Sequence, residues 1–456
     1  MEAAQIINAL TTRFALNPQT AKVLVVGLGN TGVSVAHYLQ KLGFNFAITD
    51  SRAKPPLLEA FFQSMPDTPV FTGGFDEAAF KVATHLVVSP GVPLTEKSIV
   101  KALAHGAKLV SDIDLFATSV DMPIVAITGT NGKSTVTMML AEMAKAAGVK
   151  VAVGGNLGTP ALDLLAQDAK LYVLELSSFQ LERTSALNAA AATVLNVSPD
   201  HLDRHAGVAE YGQAKQSVFN GDGVMVINLD DPQVAAMQQA GREMLSFSIK
   251  QAADFHVGTH ADGDYLQYRE QLLMPCTALP LEGRHNSANA LAALALAKAV
   301  GLEPQLLCAA LKTFKGLAHR MQRVAQINGV TWVNDSKATN MGACVAALDG
   351  YTNNVILIAG GECKGQDMNE LVPVVKEKAK SVVLMGKDAG LLKQALENSI
   401  PLYFAANMAQ AVKIAASLAV AGDSVLLSPA CASLDQYKSY QDRGEQFTKA
   451  VLGLLS

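Results

Sequence analysis

Residues 123–135 read Pro-Ile-Val-Ala-Ile-Thr-Gly-Thr-Asn-Gly-Lys-Ser-Thr, an apolar run that enters a glycine-bounded turn and leaves it as a helix. In the turn Gly129-Thr130-Asn131-Gly132 the backbone can wrap an anion, with main-chain N–H groups and the start of the next helix aimed at phosphate oxygens. Lys133 adds a mobile positive charge, and Ser134 and Thr135 offer hydroxyls where such loops ligate the Mg²⁺ of a nucleotide. Val136, Met139, Leu140, Met143 and Ala147 recur at helical spacing and Gly148 follows as a stop, so the strand, loop and helix that a phosphate cradle needs are all present. The usual eight-residue pattern wants its first glycine at Ile127, whereas here the loop begins at Gly129, which argues against a generic GTPase or kinase.

The chain has 456 residues, too many for one ordinary core, and suggests about three domains. Half the residues are hydrophobic, 17% are charged and the net charge is −4, which gives no electrostatic case for nucleic acid or an anionic membrane surface. Small molecules are the expected partners. Five cysteines (Cys276, Cys308, Cys344, Cys363 and Cys431) at wide spacing, without a CxxC pair, indicate neither a zinc knuckle nor a disulfide framework, so reduced thiols are expected. No basic segment leads into an apolar run and cleavage site, and no apolar stretch is long enough to span a bilayer. The expectation is a cytoplasmic monomer.

Upstream, residues 23–26 form a short apolar strand followed by Gly27-Leu-Gly29-Asn-Thr-Gly32, a GxGxxG turn. Residues 46–49 read as the next strand, ending on Asp50 about where a ribose-binding acid sits in a dinucleotide fold, with Ser51 and Arg52 after it. A strand at 85–89 ends in Ser89-Pro90-Gly91 at the same carboxyl edge. By itself this reads as a dehydrogenase, but that would leave the phosphate loop at Gly129 without a purpose. The pattern restarts at Ile124, with strands at 150–153, 171–176, 192–197 and 223–228 separated mostly by helices, which indicates a parallel sheet covered on both faces. Polar spots follow the strand ends: Asn156 in Gly-Gly-Asn-Leu-Gly, Glu175 in Leu-Glu-Leu-Ser-Ser, and the stretch Asn196 to His205, Asn-Val-Ser-Pro-Asp-His-Leu-Asp-Arg-His, which holds His201. A carboxylate in the apolar run 171–176 is costly unless paired, so Glu175 is a metal ligand or half of a buried ion pair, the first being favoured. His201 reads as a ligand or as a loop histidine, and spacing does not decide. Lys215 alone reads as an exposed helix lysine.

A hairpin is expected around Asp262-Gly263, then an alanine-rich helix from Arg284-His-Asn286-Ser-Ala-Asn289, another helix over 304–314, and a linker at 315–319. Two strands around the turn Asn328-Gly329 open a third α/β unit. Its strand ends carry Asp335-Ser-Lys337-Ala-Thr339-Asn340, Gly-Gly-Glu-Cys-Lys364 and Ser-Pro-Ala-Cys-Ala-Ser433. Lys337 and Lys364 are candidate anion binders.

The Gly-Thr-Asn-Gly-Lys-Ser-Thr loop, the segment 284–289, and His319-Arg320 followed by Asp335-Ser-Lys-Ala-Thr-Asn resemble the Mur ligases over almost the whole chain. Residues 428–437 are most similar to the branch of that family that adds D-glutamate. The resemblance implies three α/β domains: a Rossmann-like UDP-substrate domain (1–111), a central P-loop ATPase domain with a mainly parallel sheet (112–317) and a Rossmann-like amino-acid domain (318–456). It implies the substrates ATP, UDP-N-acetylmuramoyl-L-alanine and D-glutamate, with Mg²⁺. Asn30, Thr31, Ser51, Arg52, Gly91 and Asn156 would bind the UDP-substrate. Residues 129–135 with Asn289, Arg320 and Asp335 would bind ATP. Ser134, Glu175, His201 and a carbamylated Lys215 would hold metal. Thr339, Lys364, Ser433 and Tyr440 would receive D-glutamate, with Lys133, His201, Lys215 and Lys337 as the catalytic set. Tyr440 stands where an aromatic residue is expected. A folate polyglutamating ligase shares the loop and the chemistry, but gives no reason for a UDP-type domain before residue 111.

Overall fold

Continuous apolar runs become strands covered on both faces, and three such sheets organise the chain. The computed structural model describes residues 1–201, 204–281, 283–351, 354–363 and 366–455. The first sheet, entirely parallel, has β1 (Lys22–Val26), β2 (Asn45–Asp50), β3 (Val70–Thr72), β4 (His85–Val88) and β5 (Lys108–Leu109) in the order β3-β2-β1-β4-β5. Its order reverses at β1 and β4, and the crevice outside their carboxyl ends is where open α/β sheets take ligands. Gly32, at the start of the helix Asn30–Lys41, makes this packing possible: a Cβ there would lie 2.0 Å from the Gly27 carbonyl oxygen.

The second sheet comprises β6 (Ile124–Thr128), β7 (Val151–Gly155), β8 (Leu171–Glu175), β9 (Ala191–Val194), β10 (Val224–Asn228), β11 (Met244–Ser248), β12 (Phe255–His260), β13 (Gly263–Tyr268) and β14 (Gln271–Pro275). Its order is β14-β13-β12-β11-β10-β9-β6-β8-β7, parallel from β7 to β12 and antiparallel where β13 and β14 fold back. Every residue of β6, β8 and β10 is buried. The helix Arg284–Ala299 is alanine-rich because it is enclosed: residues 290 to 297 are all buried, in one core with the phosphate-loop helix Lys133–Ala146.

The third sheet holds β15 (Gln322–Ile327), β16 (Val330–Asn334), β17 (Val355–Gly360), β18 (Ala379–Met385), β19 (Leu402–Phe404) and β20 (Ser424–Leu427), ordered β15-β16-β20-β17-β18-β19, with only β15 antiparallel. Asn328 and Gly329, both at positive φ, make the turn between β15 and β16. The three-domain α/β reading is met. Three strands go beyond it: β3 and β19 are three-residue edge strands, too short to show a period, and β11 offers only the weak alternation Met-Leu-Ser-Phe-Ser. The residues before β1 form the helix Ala3–Phe14, anchored by buried Leu10 and Phe14.

The cysteine expectation is corrected. Cys363 and Cys431, 68 residues apart, form a disulfide with Cα atoms 4.5 Å apart. Tertiary structure brings them together: Glu362 and Ala432 exchange backbone hydrogen bonds of 3.0 and 2.9 Å in an isolated antiparallel bridge. Linear spacing gives no sign of it. Cys276, Cys308 and Cys344 are free thiols.

Gly32→Ala should lower thermal stability by about 1–3 kcal/mol, because the new methyl meets backbone and the helix start must move. A melting temperature equal to wild type would show that Gly27 and Gly32 do not approach so closely.

Candidate active site

The loop after β6 closes as its glycines require. Gly132 has φ +86°, and a Cβ there would meet the Asn289 side-chain oxygen at 2.5 Å, so loop and alanine-rich helix touch only because position 132 is bare. Lys133 folds back and donates to the Gly129 and Thr130 carbonyls at 2.8 and 2.9 Å. Burial lowers its pKa, against the opposing pull of Glu175. The loop is braced from β9: Asn131 N–H donates to the Asn196 side chain at 2.8 Å, and Thr130 N–H to the Asn196 carbonyl at 2.9 Å.

Glu175, at the end of β8, is 3% exposed and joins two sites. One carboxylate oxygen accepts from the Ser134 hydroxyl; the other accepts from the Asn156 amide at 2.7 Å. Burial pushes its pKa up, but Lys133, the two hydrogen bonds and Arg320 outweigh that, and the net shift is downward. Glu175 is therefore an ionised carboxylate inside the protein, supplying hard oxygen at the base of the phosphate loop. Of the two sequence alternatives, the structure displays the charge-paired one: its charge neighbours are the cations Lys133 and Arg320. Among the described residues no three His, Cys, Asp or Glu side chains gather as a ready metal site.

The reading of Lys215 as an exposed helix lysine is overturned: the residue is 1% exposed. Its position in the helix Val208–Gln216 turns it inward. Its Nζ donates to the Gly129 carbonyl at 2.9 Å, the same oxygen that Lys133 uses, and lies 4.3 Å from the centre of the Tyr211 ring. Burial, then repulsion from Lys133, drives its pKa well below that of an ordinary lysine. His201 follows β9 in a left-handed conformation (φ 54°), its ring edge-on to Phe179 at 4.9 Å.

A cavity of about 350 Å³ opens beside the loop, lined by Asn131, Gly132, Thr135, Asn289, Arg320, Asp335 and Lys337 among others. Its far wall belongs to the third domain, which reaches the second directly. Arg320 donates to the Ser134 hydroxyl at 2.7 Å and Asn340 to the Asp200 carboxylate at 3.0 Å. Asp335 is enclosed, accepting from Ser428 at 2.9 Å and from Met321 N–H at 3.2 Å, and burial pushes its pKa up to about 7. Lys337 stands 4.0 Å over the Tyr440 ring; burial, then Arg320, lowers its pKa to about 8.

A second cavity, of about 570 Å³, lies between the first and second domains. Asn30, Thr31, Ser51, Arg52, Gly91 and Asn156 all line it. Asp50 lines it too, and its oxygens accept from Leu28 N–H at 2.7 Å and from Arg52 at 2.6 and 2.9 Å, which ties the glycine turn to a neighbouring cation. Asn156 belongs to this cavity and to the Glu175 chain at once.

In the third domain Ser433 is buried, Thr339 follows Lys337 in a tight turn (N–H to the Lys337 carbonyl, 2.8 Å), and the Tyr440 carbonyl accepts from Ser336 at 2.8 Å. Lys364 lies outside the described residues. The sequence reading missed Arg443, 2% exposed, whose guanidinium donates to Ser336, the Cys431 carbonyl and the Gly360 carbonyl, gathering three strand-end loops. It also missed Arg183, to which local context gave no distinguishing signal; Asn196 and Asp200 fall within the polar stretch 196–205 that the sequence marks past a strand end, without a role given to either.

Comparison with known proteins assigns the class. The Mur ligase MurD-like N-terminal domain matches residues 21–111, the Mur ligase middle domain 127–297 and the Mur ligase glutamate ligase domain 319–431. The chain belongs to the Mur ligase family and is an enzyme of the ligase class. It is 50% identical over 436 residues to the UDP-N-acetylmuramoylalanine--D-glutamate ligase of Methylococcus capsulatus, covering 95% of both chains. It is 49% identical over 447 residues to that of Nitrosococcus oceani, covering 97% of this chain and 99% of the relative. The fold is shared with UDP-N-acetylmuramate-alanine ligase of Thermotoga maritima (TM-score 0.60, 16% identity, 95% of this chain and 100% of that one). It is shared also with Mycobacterium tuberculosis folylpolyglutamate synthase (TM-score 0.58, 18% identity, 74% and 93%). No helix among the described residues is long and apolar enough to cross a membrane.

Asp335 carries a pH signature. Its carboxyl titrates near 3.8 when free and about 7 here, so between those values the folded state binds the extra proton and stability falls as pH rises. Asp335→Asn lacks that loss. Its melting temperature relative to wild type should climb from pH 4.5 to 7 and level off above; a pH-independent difference would refute the buried, protonated carboxyl.

Proposed function

We propose that this enzyme joins D-glutamate to UDP-N-acetylmuramoyl-L-alanine at the expense of ATP, in peptidoglycan precursor synthesis. The observation that carries the reading is the hydrogen-bonded line Ser134, Glu175, Asn156, which runs from the phosphate loop to the cavity beside the first domain. A phosphoryl donor at one end and a carboxylate acceptor at the other are what acyl-phosphate formation needs. We assign residues 1–111 to the UDP-substrate, 112–317 to ATP and 318–456 to the amino acid, in a cytoplasmic monomer that needs no nucleic acid or membrane.

In this reading residues 129–135 and Arg320 hold the triphosphate, Asn289 the adenine and Asp335 the ribose. Asn30, Thr31, Ser51, Arg52 and Gly91 hold the uridine nucleotide, and Asn156 the end that reacts. The L-alanine carboxylate attacks the γ-phosphate in line, and Lys133 and Arg320 take up the charge spread over its equatorial oxygens. ADP leaves. The D-glutamate amine, placed by Thr339, Lys364, Ser433 and the Tyr440 backbone, attacks the acyl phosphate, and phosphate departs to give the amide. Lys337, with its pKa near 8, is able to take or return a proton beside the reacting groups. The contacts of Arg320 with Ser134 and of Asn340 with Asp200 keep the third domain over the site, which protects an intermediate that water would destroy. The hydroxyl of Ser134, the ionised Glu175, His201 and a carbamylated Lys215 suit a hard cation, and Mg²⁺ bound there would neutralise phosphate charge.

Phosphate release measured with a panel of amino acids tests the assignment. D-Glutamate should be fastest. D-Aspartate should lose more than the about 1–3 kcal/mol of one methylene, because a charged contact is misplaced as well. Faster turnover with L-glutamate or L-lysine would defeat the D-glutamate assignment while leaving ligase chemistry in place.

Lys215 warrants its own experiment: its buried amine, whose pKa is pushed well below that of an ordinary lysine, can lose its proton and attack CO₂, forming an N–C bond and releasing a second proton, so that a cation becomes a carbamate anion. Lys215→Ala should be folded and nearly inactive, Lys215→Arg no better, and formate or acetate should restore part of the alanine variant's activity. Carbon-13 NMR after equilibration with labelled bicarbonate should show a carbamate in wild type alone. Full activity of the alanine variant in CO₂-depleted buffer would remove Lys215 from the mechanism.

A further inference from the structure

Arg183 belongs to the second domain, just past the helix Ser178–Leu181, yet its guanidinium donates to main-chain carbonyls of the first. Its side chain has no solvent exposure. One terminal nitrogen donates to the Val88 and Ser89 carbonyls at 3.1 and 2.8 Å, and both reach the Val92 carbonyl at 3.4 Å. Glu182 pairs with the guanidinium at 2.5 Å, and the buried Asp112 adds further negative charge nearby. The carbonyls it gathers all belong to the end of β4 and the turn after it, which brings Ser89, Pro90, Gly91 and Val92 to the wall of the 570 Å³ cavity.

A second arginine acts on the same turn. Arg204, in the loop after His201, donates to the Gly91 carbonyl at 3.4 Å and lies 4.6 Å over the Phe179 ring. Of the five carbonyls of residues 88–92, all but that of Pro90 are thus drawn toward second-domain guanidinium groups. The amides are disposed differently: Ser89 N–H donates to Val26 and Val92 N–H to Ser89. Pro90 has no N–H. Gly91 N–H has no acceptor among the described residues, and Gly91 lines the cavity. A half-buried turn held by its carbonyls, with the exposed Gly91 leaving one donor free at a cavity wall, is organised to receive an acceptor atom.

We propose that Arg183 is a positioning residue that sets the 89–92 turn so that the Gly91 N–H meets an acceptor oxygen of the uridine nucleotide. The second domain thereby sets the affinity of a site whose ligand contacts come largely from the first. The proposal rests on the reading of this cavity as the UDP site. A lysine cannot replace the arginine fully, because one ammonium does not span three carbonyls as the planar fork does.

The test uses the full chain with Arg183→Lys and Arg183→Met, with UDP as the calorimetric probe, initial rates against UDP-substrate and ATP, and hydrogen exchange over residues 86–94. In Arg183→Met the UDP Kd and the UDP-substrate KM should rise about tenfold, with exchange accelerated in that segment. The KM for ATP and kcat should stay within about twofold, and Arg183→Lys should fall between. Failure of wild type to bind UDP would defeat the reading of the cavity. Normal wild-type binding with an unchanged Kd in a folded variant would defeat the role of Arg183 alone. An equal rise in both KM values would also overturn it, since a loosened domain joint would do that. If Arg183→Met does not fold, Arg183→Lys decides by the same criteria, and if neither folds the residue is a folding determinant and the proposal falls.

Discussion

An ionised carboxylate held inside the protein is the constraint from which the rest of the site follows. Glu175 would be expelled or neutralised at the end of a fully buried strand unless its surroundings supplied charge and donors. Lys133, Arg320, Ser134 and Asn156 do so together, and they come from three separate places: the phosphate-loop helix, the entrance to the third domain, and the loop after β7. Satisfying one carboxylate thus fixes the relative positions of a nucleotide loop, a neighbouring domain and a second cavity. Removing Glu175 would leave buried cations and donors unpaired, a cost distinct from any loss of chemistry.

The same logic explains two lysines on one carbonyl. Lys133 and Lys215 both donate to the Gly129 oxygen, and their charges repel in a space from which water is excluded. The two respond differently because Lys133 has Glu175 as its first counter-charge, whereas for Lys215 burial and Lys133 dominate. Burial lowers the pKa of both amines, and that of Lys215 the further of the two.

Much of this was legible in the sequence, and the division is physical. Local chemistry could be read: the glycine spacing of the phosphate loop, the carboxylate in an apolar strand, and the Asn328-Gly329 turn each carry their reason within a few residues. The strands that continue an apolar run on both faces were legible; the short edge strands β3 and β19 were not, because three residues show no period. What depends on long-range contact was hidden. Arg183 touches carbonyls about ninety positions away, Arg443 gathers loops from Ser336 to Cys431, and Cys363 meets Cys431 across a two-residue bridge. Lys215 failed in the other direction: its neighbours in sequence are polar, and only the packing of its helix against the phosphate loop shows which way it faces.

The three sheets also explain where discrimination among related ligases has to reside. The likeness to folylpolyglutamate synthase covers 74% of this chain, although the two share only 18% of their residues over the match. That likeness is one of fold. In the reading proposed above, the choice of substrate falls to the loops at the carboxyl edges of the outer sheets. In the first domain those loops are held by side chains of the second, Arg183 and Arg204. In the third, Arg443 and the Glu362–Ala432 bridge hold the corresponding loops from within. Changing a substrate in such a scaffold means changing the anchors as well as the residues that touch it, because a strand-end loop with its carbonyls released has no fixed set of donors to offer.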